Sequence, residues 1–219
     1  MMSHDLKTPL ARIQGMTELA MRDNNQLSEQ QLDALRTINT SSQELTEFVG
    51  SILDLGRVES KEIKLQLKSK DINALIRDVI SKLEYLAKQK NITIMTEFEP
   101  IFSLKVDEDL VRQVFTNLIE NAIKYSPENT SILVSTEELE GRLIVQVADQ
   151  GMGIPQNEQA QLFSKFYRSK TVRDSSIKGS GLGLYLSRYF VNLHKGSISV
   201  ESEPQKGSTF TVELPMDLR

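Results

Sequence analysis

From Met2 to about Arg22, apolar side chains recur at every third or fourth position: Leu6, Leu10, Ile13, Met16 or Thr17, and Ala20. That spacing places them on one face of an α-helix. Asp23-Asn24-Asn25 breaks the pattern, and Ser28-Glu29-Gln30-Gln31 has the form of a capping box, with Ser28 as cap and Gln31 reaching back. The helix it opens carries a heptad-like stripe at Leu32, Leu35, Ile38 or Asn39, Ser42, Leu45, Val49, Ile52 and Leu55. A two-helix hairpin cannot bury both stripes alone. The pattern therefore predicts a homodimer in which two hairpins form a four-helix bundle.

Beyond Gly56 the pattern changes. Positions 57–61 are a polar connector, and Ile63-Lys64-Leu65-Gln66-Leu67 alternates as a strand would. Asp71 is placed to cap a helix bearing Ile72, Leu75, Ile76, Val79, Ile80, Leu83 and Leu86. Short strands are expected at 92–95 and 102–106, then a helix capped by Asp107 and running to about Lys124. Strands at 131–137 and 142–149 flank a turn at Glu140-Gly141, a long irregular stretch covers 150–180, and a helix spans about 182–193. Strands at 197–201 and 208–214, joined through Pro204 and Gly207, close the chain. This order implies a sheet with helices on one face. The expected division is a helical domain over 1–57, a linker with the first strand over 58–69, and an α/β domain over 70–219.

Composition narrows the classes. The 219 residues carry a net charge of −4, which argues against nucleic acid as a partner. With no cysteine, disulfides, thiolate metal sites and a thiol nucleophile are excluded. No apolar run reaches the roughly 20 residues that span a bilayer, so this portion is expected to make no membrane contact.

Candidate chemistry lies in four places. His4 and Thr8 are one helical turn apart, with Asp5 beside them. A neutral imidazole is a nucleophile near pH 7, and a neighbouring carboxylate fixes its tautomer. On the helix after Asp107, the residues Asn117, Asn121 and Lys124 form a row rotated away from the apolar stripe of Val111, Val114, Phe115, Leu118 and Ala122. Two amides and an ammonium suit phosphate oxygens and a hard cation such as Mg²⁺. Asp149-Gln150-Gly151-Met152-Gly153 follows a strand, where a carboxylate can accept from the exocyclic amine of adenine. Gly179-Ser180-Gly181-Leu182-Gly183 opens a helix, whose free N–H groups and dipole favour an anion. Between these glycine stretches, Leu162, Phe163, Phe166 and Tyr167 are the apolar anchors of a loop rich in Lys165, Arg168, Lys170, Arg173 and Lys178, which reads as a lid. His194, before Lys195-Gly196, reads as a helix C-terminal residue favoured by the dipole.

As a set, these residues resemble the motifs of sensor histidine kinases. His4-Asp-Leu-Lys-Thr-Pro-Leu resembles the family's H-box, and Asn117-Leu-Ile-Glu-Asn121-Ala-Ile-Lys124-Tyr125 its N-box. Asp149-Gln-Gly151-Met-Gly153 resembles its first glycine box, Leu162-Phe163-Ser-Lys-Phe166 its F-box, and Gly179-Ser-Gly181-Leu-Gly183 its second glycine box. The resemblance implies an α + α/β architecture: a dimeric helical bundle that receives a phosphoryl group, followed by a two-layer sandwich of the GHKL (Bergerat) type. It also implies ATP and Mg²⁺ as cofactors, and a response regulator receiver domain as partner. The implied setting is the cytoplasmic portion of a larger sensor, with more helix and a sensing region upstream.

By the same resemblance His4 is the phosphoacceptor, Asp5 its general base, and Thr8 orients water for dephosphorylation of the partner. Asn121 holds Mg²⁺ with help from Asn117, Lys124 meets phosphate, and Tyr125 lies along the nucleotide. Asp149 reads the adenine amine, supported by Thr209, and the residues Gly151, Gly153, Gly179, Gly181, Leu182 and Gly183 line the nucleotide. Relatives that hydrolyse ATP to water, such as gyrase B, carry Glu at the position of Asn117; an amide there favours transfer to histidine. The alternatives are a nucleotide-binding scaffold that does not phosphorylate itself and a GHKL ATPase.

Overall fold

The structure, a computed structural model, describes residues 2–22, 27–60, 63–173 and 179–216. It forms two compact units, Met1–Glu62 and Ile63–Arg219. The break at Asp23-Asn24-Asn25, and Lys178 of the expected lid, lie outside the described residues.

The first unit is a hairpin of α1 (Met2–Arg22) and α2 (Glu29–Glu59). The capping box is formed: the Gln31 N–H donates to Ser28 Oγ at 3.2 Å, and the Ser28 N–H to Gln31 Oε1 at 2.8 Å. Instead of stopping near Gly56, α2 runs on to Glu59, with Ser60 as its C-cap, whose N–H is bonded to the Gly56 and Val58 carbonyls. The helices meet where the Ser42 hydroxyl donates to the Leu10 carbonyl at 3.2 Å. Thr17 is buried, its hydroxyl bonded back to the Ile13 and Gln14 carbonyls, while Met16 faces out. Ile13, Leu19, Ile38, Leu45, Phe48 and Ile52 are also exposed.

The second unit runs β1 (Lys68–Lys70), α3 (Ile72–Gln89), β2 (Thr93–Phe98), β3 (Leu104–Val106), α4 (Glu108–Tyr125), β4 (Ser131–Leu139), β5 (Arg142–Asp149), α5 (Gln156–Gln159), α6 (Lys170–Arg173), α7 (Gly183–Leu193), β6 (Ser197–Glu203) and β7 (Gly207–Pro215). A five-stranded sheet has the order β2-β4-β5-β7-β6, parallel only between β2 and β4. Strands β1 and β3 form a separate antiparallel pair. Helices α3, α4 and α7 form the second layer, in the order expected of a two-layer sandwich. Asp71 and Asp107 cap α3 and α4 as their positions imply.

Two expectations are corrected. Residues 63–67 form no strand: the short β3 pairs with Lys68–Lys70, and the Gln66 N–H is taken by Asp107 Oδ2 at 2.8 Å. His194 does end α7 as its C-cap, but side-chain hydrogen bonds rather than the helix dipole hold it there. It is fully buried, with Nδ1 2.7 Å from the Phe190 carbonyl and Nε2 accepting the Asp107 N–H at 3.0 Å. Those partners fix a neutral ring with its proton on Nδ1, so the side chain fastens the end of α7 to the start of α4. The stretch 150–180 also holds the short helices α5 and α6.

Candidate functional site

The site grows from α4. Its apolar stripe, Val111, Val114, Phe115, Leu118 and Ala122, is buried, which leaves Asn117, Asn121 and Lys124 along a half-buried row. Helix α7 lies beside it, with Asn117 Nδ2 donating to the buried Ser187 hydroxyl at 2.9 Å. Asn121 Nδ2 points at Asn117 Oδ1, 3.4 Å away. That orientation leaves Asn121 Oδ1 as the oxygen for a hard cation. Among the described residues there is no group of three or more His, Cys, Asp or Glu able to hold a metal.

The second glycine stretch is laid directly on this row. A Cβ on Gly183 would fall on the amide of Asn117, and one on Gly179 would sit 3.0 Å from Lys124 Nζ. Among the described residues no side chain caps α7, so its first-turn N–H groups are left for an anion. Two members of the stretch also hold the fold together. The Leu182 side chain is fully buried in the core, and its N–H donates to Ser180 Oγ at 3.2 Å. Gly181 has φ +70°, and a Cβ there would lie 2.7 Å from the Phe166 backbone, so glycine at this position seats the loop.

The first glycine stretch meets the far end of α4. A Cβ on Gly151 would stand 2.9 Å from the Tyr125 carbonyl oxygen. The Gly151 N–H donates to Asp149 Oδ1 at 2.7 Å, and the Ser208 N–H also bonds this carboxylate. Burial nevertheless dominates and pushes the Asp149 carboxyl up to about 6. Asp149 and Thr209 line a shallow cavity of about 220 Å³ with Glu201, Ser202 and Ser208. Burial also raises the Tyr125 phenol, which the charge of Arg168 opposes, and the Lys124 ammonium stands 5.7 Å from the Tyr125 ring centre.

Sequence reasoning missed the residues that brace these loops. Ser202 Oγ accepts the Ile154 N–H at 2.8 Å and donates to the Gly207 carbonyl at 2.8 Å, while the Gln205 N–H bonds the Met152 carbonyl. The β6–β7 turn thereby grips the first glycine stretch. Gly153, at φ +65°, must be glycine because a Cβ would collide with the Glu203 carbonyl. Arg188 anchors the F-box stretch, donating to the Phe163 carbonyl at 3.0 Å with its guanidinium 5.4 Å from that ring centre. Phe163 is buried as an anchor should be, whereas Phe166 is exposed. Ser187 did carry a signal, as a hydroxyl one turn beyond Gly183 on the same helix. His4 and Asp5 lie in the first turns of α1, and Thr8, one turn after His4, is exposed.

Two family models match the chain. The histidine kinase-, DNA gyrase B- and HSP90-like ATPase model covers residues 106–218, and the His kinase A (phospho-acceptor) domain model covers residues 1–61. The chain is 34% identical to the circadian input-output histidine kinase CikA of Synechococcus elongatus, over 98% of its own length and 29% of CikA. It is 29% identical to the sensor-like histidine kinase SenX3 of Mycolicibacterium smegmatis, over 97% of its own length and 55% of SenX3. It thus spans little more than half of one relative and under a third of the other. Among solved structures, full-length ShkA in complex with AMPPNP superposes with a TM-score of 0.80 at 28% identity, over 100% of this chain and 45% of that one. Histidine kinase ThkA in complex with the response regulator protein TrrA gives 0.70 at 26% identity, over 99% and 60%. No helix of the described residues is long and apolar enough to cross a membrane.

Proposed function

The chain belongs to the sensor histidine kinase family, and from that membership we propose that it is an ATP-dependent protein-histidine kinase acting on His4. The observation that carries the proposal is the meeting of distant stretches on α4. Gly183 abuts Asn117, Gly179 abuts Lys124, and Gly151 abuts the Tyr125 carbonyl. A helix face of amides and an ammonium, a helix start and a buried carboxylate together match the needs of an adenine nucleotide.

In this reading the adenine amine donates to Asp149, with Thr209 beside it. The phosphates face Lys124 and the first-turn N–H groups of α7. Asn121 would hold Mg²⁺, which would supply positive charge against the phosphates. A neutral ring nitrogen of His4 attacks the γ-phosphorus in line; the P–N bond forms as the bond to the ADP oxygen breaks. Asp5 takes the proton from the other ring nitrogen. Asn117 bears an amide and cannot deprotonate water, which favours histidine over water as acceptor. The phosphoryl group then passes to an aspartate carboxylate of a receiver domain, breaking P–N and forming an acyl phosphate. Thr8 orients the water that later hydrolyses that acyl phosphate. The exposed apolar face of the hairpin pairs with a second copy. The nucleotide analogue bound by ShkA and the response regulator bound by ThkA support the choice of ligand and partner.

Incubation with γ-labelled ATP tests this. The expected result is label on the chain that is acid-labile, alkali-stable and absent from His4→Gln. Bound ATP with no label would mean a nucleotide-binding scaffold, and free phosphate released independently of His4 would mean an ATPase.

A further inference from the structure

Lys90 ends α3, far in sequence from every nucleotide motif, and is half-buried. Its ammonium donates to three carbonyl oxygens at the end of α4: Ile123 at 2.9 Å, Lys124 at 3.0 Å and Ser126 at 2.7 Å. These use all three donors of an ammonium. The last turn of a helix has carbonyls with no helical partner and carries partial negative charge. Here those carbonyls belong to the turn that presents Lys124 and Tyr125, and the Tyr125 carbonyl is the atom against which Gly151 is pressed. The Lys90 backbone is itself held: its carbonyl accepts the Asn129 N–H at 3.0 Å, and Asn91 Nδ2 donates to Asn129 Oδ1 at 2.7 Å. Both asparagines have positive φ, so the two turns interlock in one fixed shape.

We propose that Lys90 is a positioning residue for the nucleotide, fixing the end of α4 so that Lys124 and Tyr125 face the ligand. It also places positive charge where the helix end would otherwise repel a polyphosphate. The inference rests on the nucleotide reading of the site and adds a residue touching neither nucleotide nor His4. Burial lowers the readiness of this amine to hold its proton and the nearby Glu128 opposes that, so the charge is kept at a desolvation cost. A surface lysine would not need such an arrangement.

The test compares Lys90→Met, which keeps the aliphatic stem, with Lys90→Arg and with Val79→Ala, a core truncation in α3 that leaves the end of α4 alone. Binding of a fluorescent ADP is read by anisotropy, and amide exchange over residues 121–126 by mass spectrometry. The account expects K90M to weaken ADP binding about tenfold and raise the KM for ATP about as much, with kcat at saturating ATP within about twofold of wild type. Exchange at the end of α4 rises, and K90R restores most of the affinity. V79A, at a similar loss of Tm, leaves ADP binding within about twofold. Wild-type affinity in folded K90M, or equal losses in K90M and V79A, overturns the proposal. Should K90M not fold, K90Q takes its place under the same criteria. If wild type binds no ADP at all, the nucleotide reading itself has failed, which is a separate result.

Discussion

The two units treat apolar surface in opposite ways. The unit Ile63–Arg219 closes on itself: Ile72, Ile76, Phe115, Leu118, Ile119, Leu182 and Phe190 are almost completely buried between sheet and helices. Among its described residues the hairpin buries Leu10, Thr17, Ser42, Leu55 and Val58, and leaves Phe48, Leu45 and Leu19 at 43%, 48% and 62% exposure. Each such side chain gains about 1.5–3 kcal/mol when fully covered. The hairpin thus carries the apolar face that the dimer proposed above would cover, whereas the nucleotide unit carries its own core. Assembly and ligand binding should then be separable by mutation.

The largest effect expected is on assembly. Replacing Leu45 and Ile52 together by Asp puts four charges into a paired interface and should raise the dimer dissociation constant at least roughly 1,000-fold. Sedimentation equilibrium reads this, and ADP affinity should stay within about twofold. A double variant that remains dimeric would break the comparison.

Next comes the nucleotide unit. Gly153→Ala combines positive φ with a collision against the Glu203 carbonyl. It should cost about 3 kcal/mol of that unit's stability in urea unfolding, without loosening the dimer.

How much of this was legible in the sequence divides along the same line. The caps at Ser28, Asp71 and Asp107 were readable because each is a local bond within a few residues. The row of Asn117, Asn121 and Lys124 was readable because helical periodicity alone sets it. What failed depended on distant partners. Residues 63–67 alternate like a strand, but β3 offers partners only to Lys68–Lys70. His194 was legible as the residue that ends α7, but nothing nearby in sequence announces its partner, the Asp107 N–H. Ser202 and Lys90 act only across the fold.

A smaller effect concerns pH. The Asp149 carboxyl, pushed up to about 6 from 3.8, favours the protonated form in the fold. Its contribution to stability is thus fully present below pH 3.8 and lost as pH rises through about 6. Asp149→Asn should accordingly stabilise the ligand-free chain by about 1–2 kcal/mol at pH 7.5 in thermal unfolding, while impairing nucleotide binding. Wild-type ADP affinity should fall roughly tenfold between pH 7.5 and pH 5 as the carboxylate that accepts from adenine is protonated. A flat profile would remove Asp149 from the adenine contact.

The smallest effect is expected at Gly179. An added Cβ meets only the movable tip of Lys124, so Gly179→Ala should change ADP affinity by no more than about threefold.

The most direct measurement of the central claim is calorimetric titration of Gly183→Ala with an ATP analogue. The new methyl would displace the Asn117 amide on which α4 and α7 meet, while alanine favours the helix backbone. The account predicts affinity at least roughly 30-fold below wild type, with Tm lowered by no more than a few degrees. Wild-type affinity in the folded variant would contradict it, since the glycine stretch and the amide row would then not form one nucleotide site.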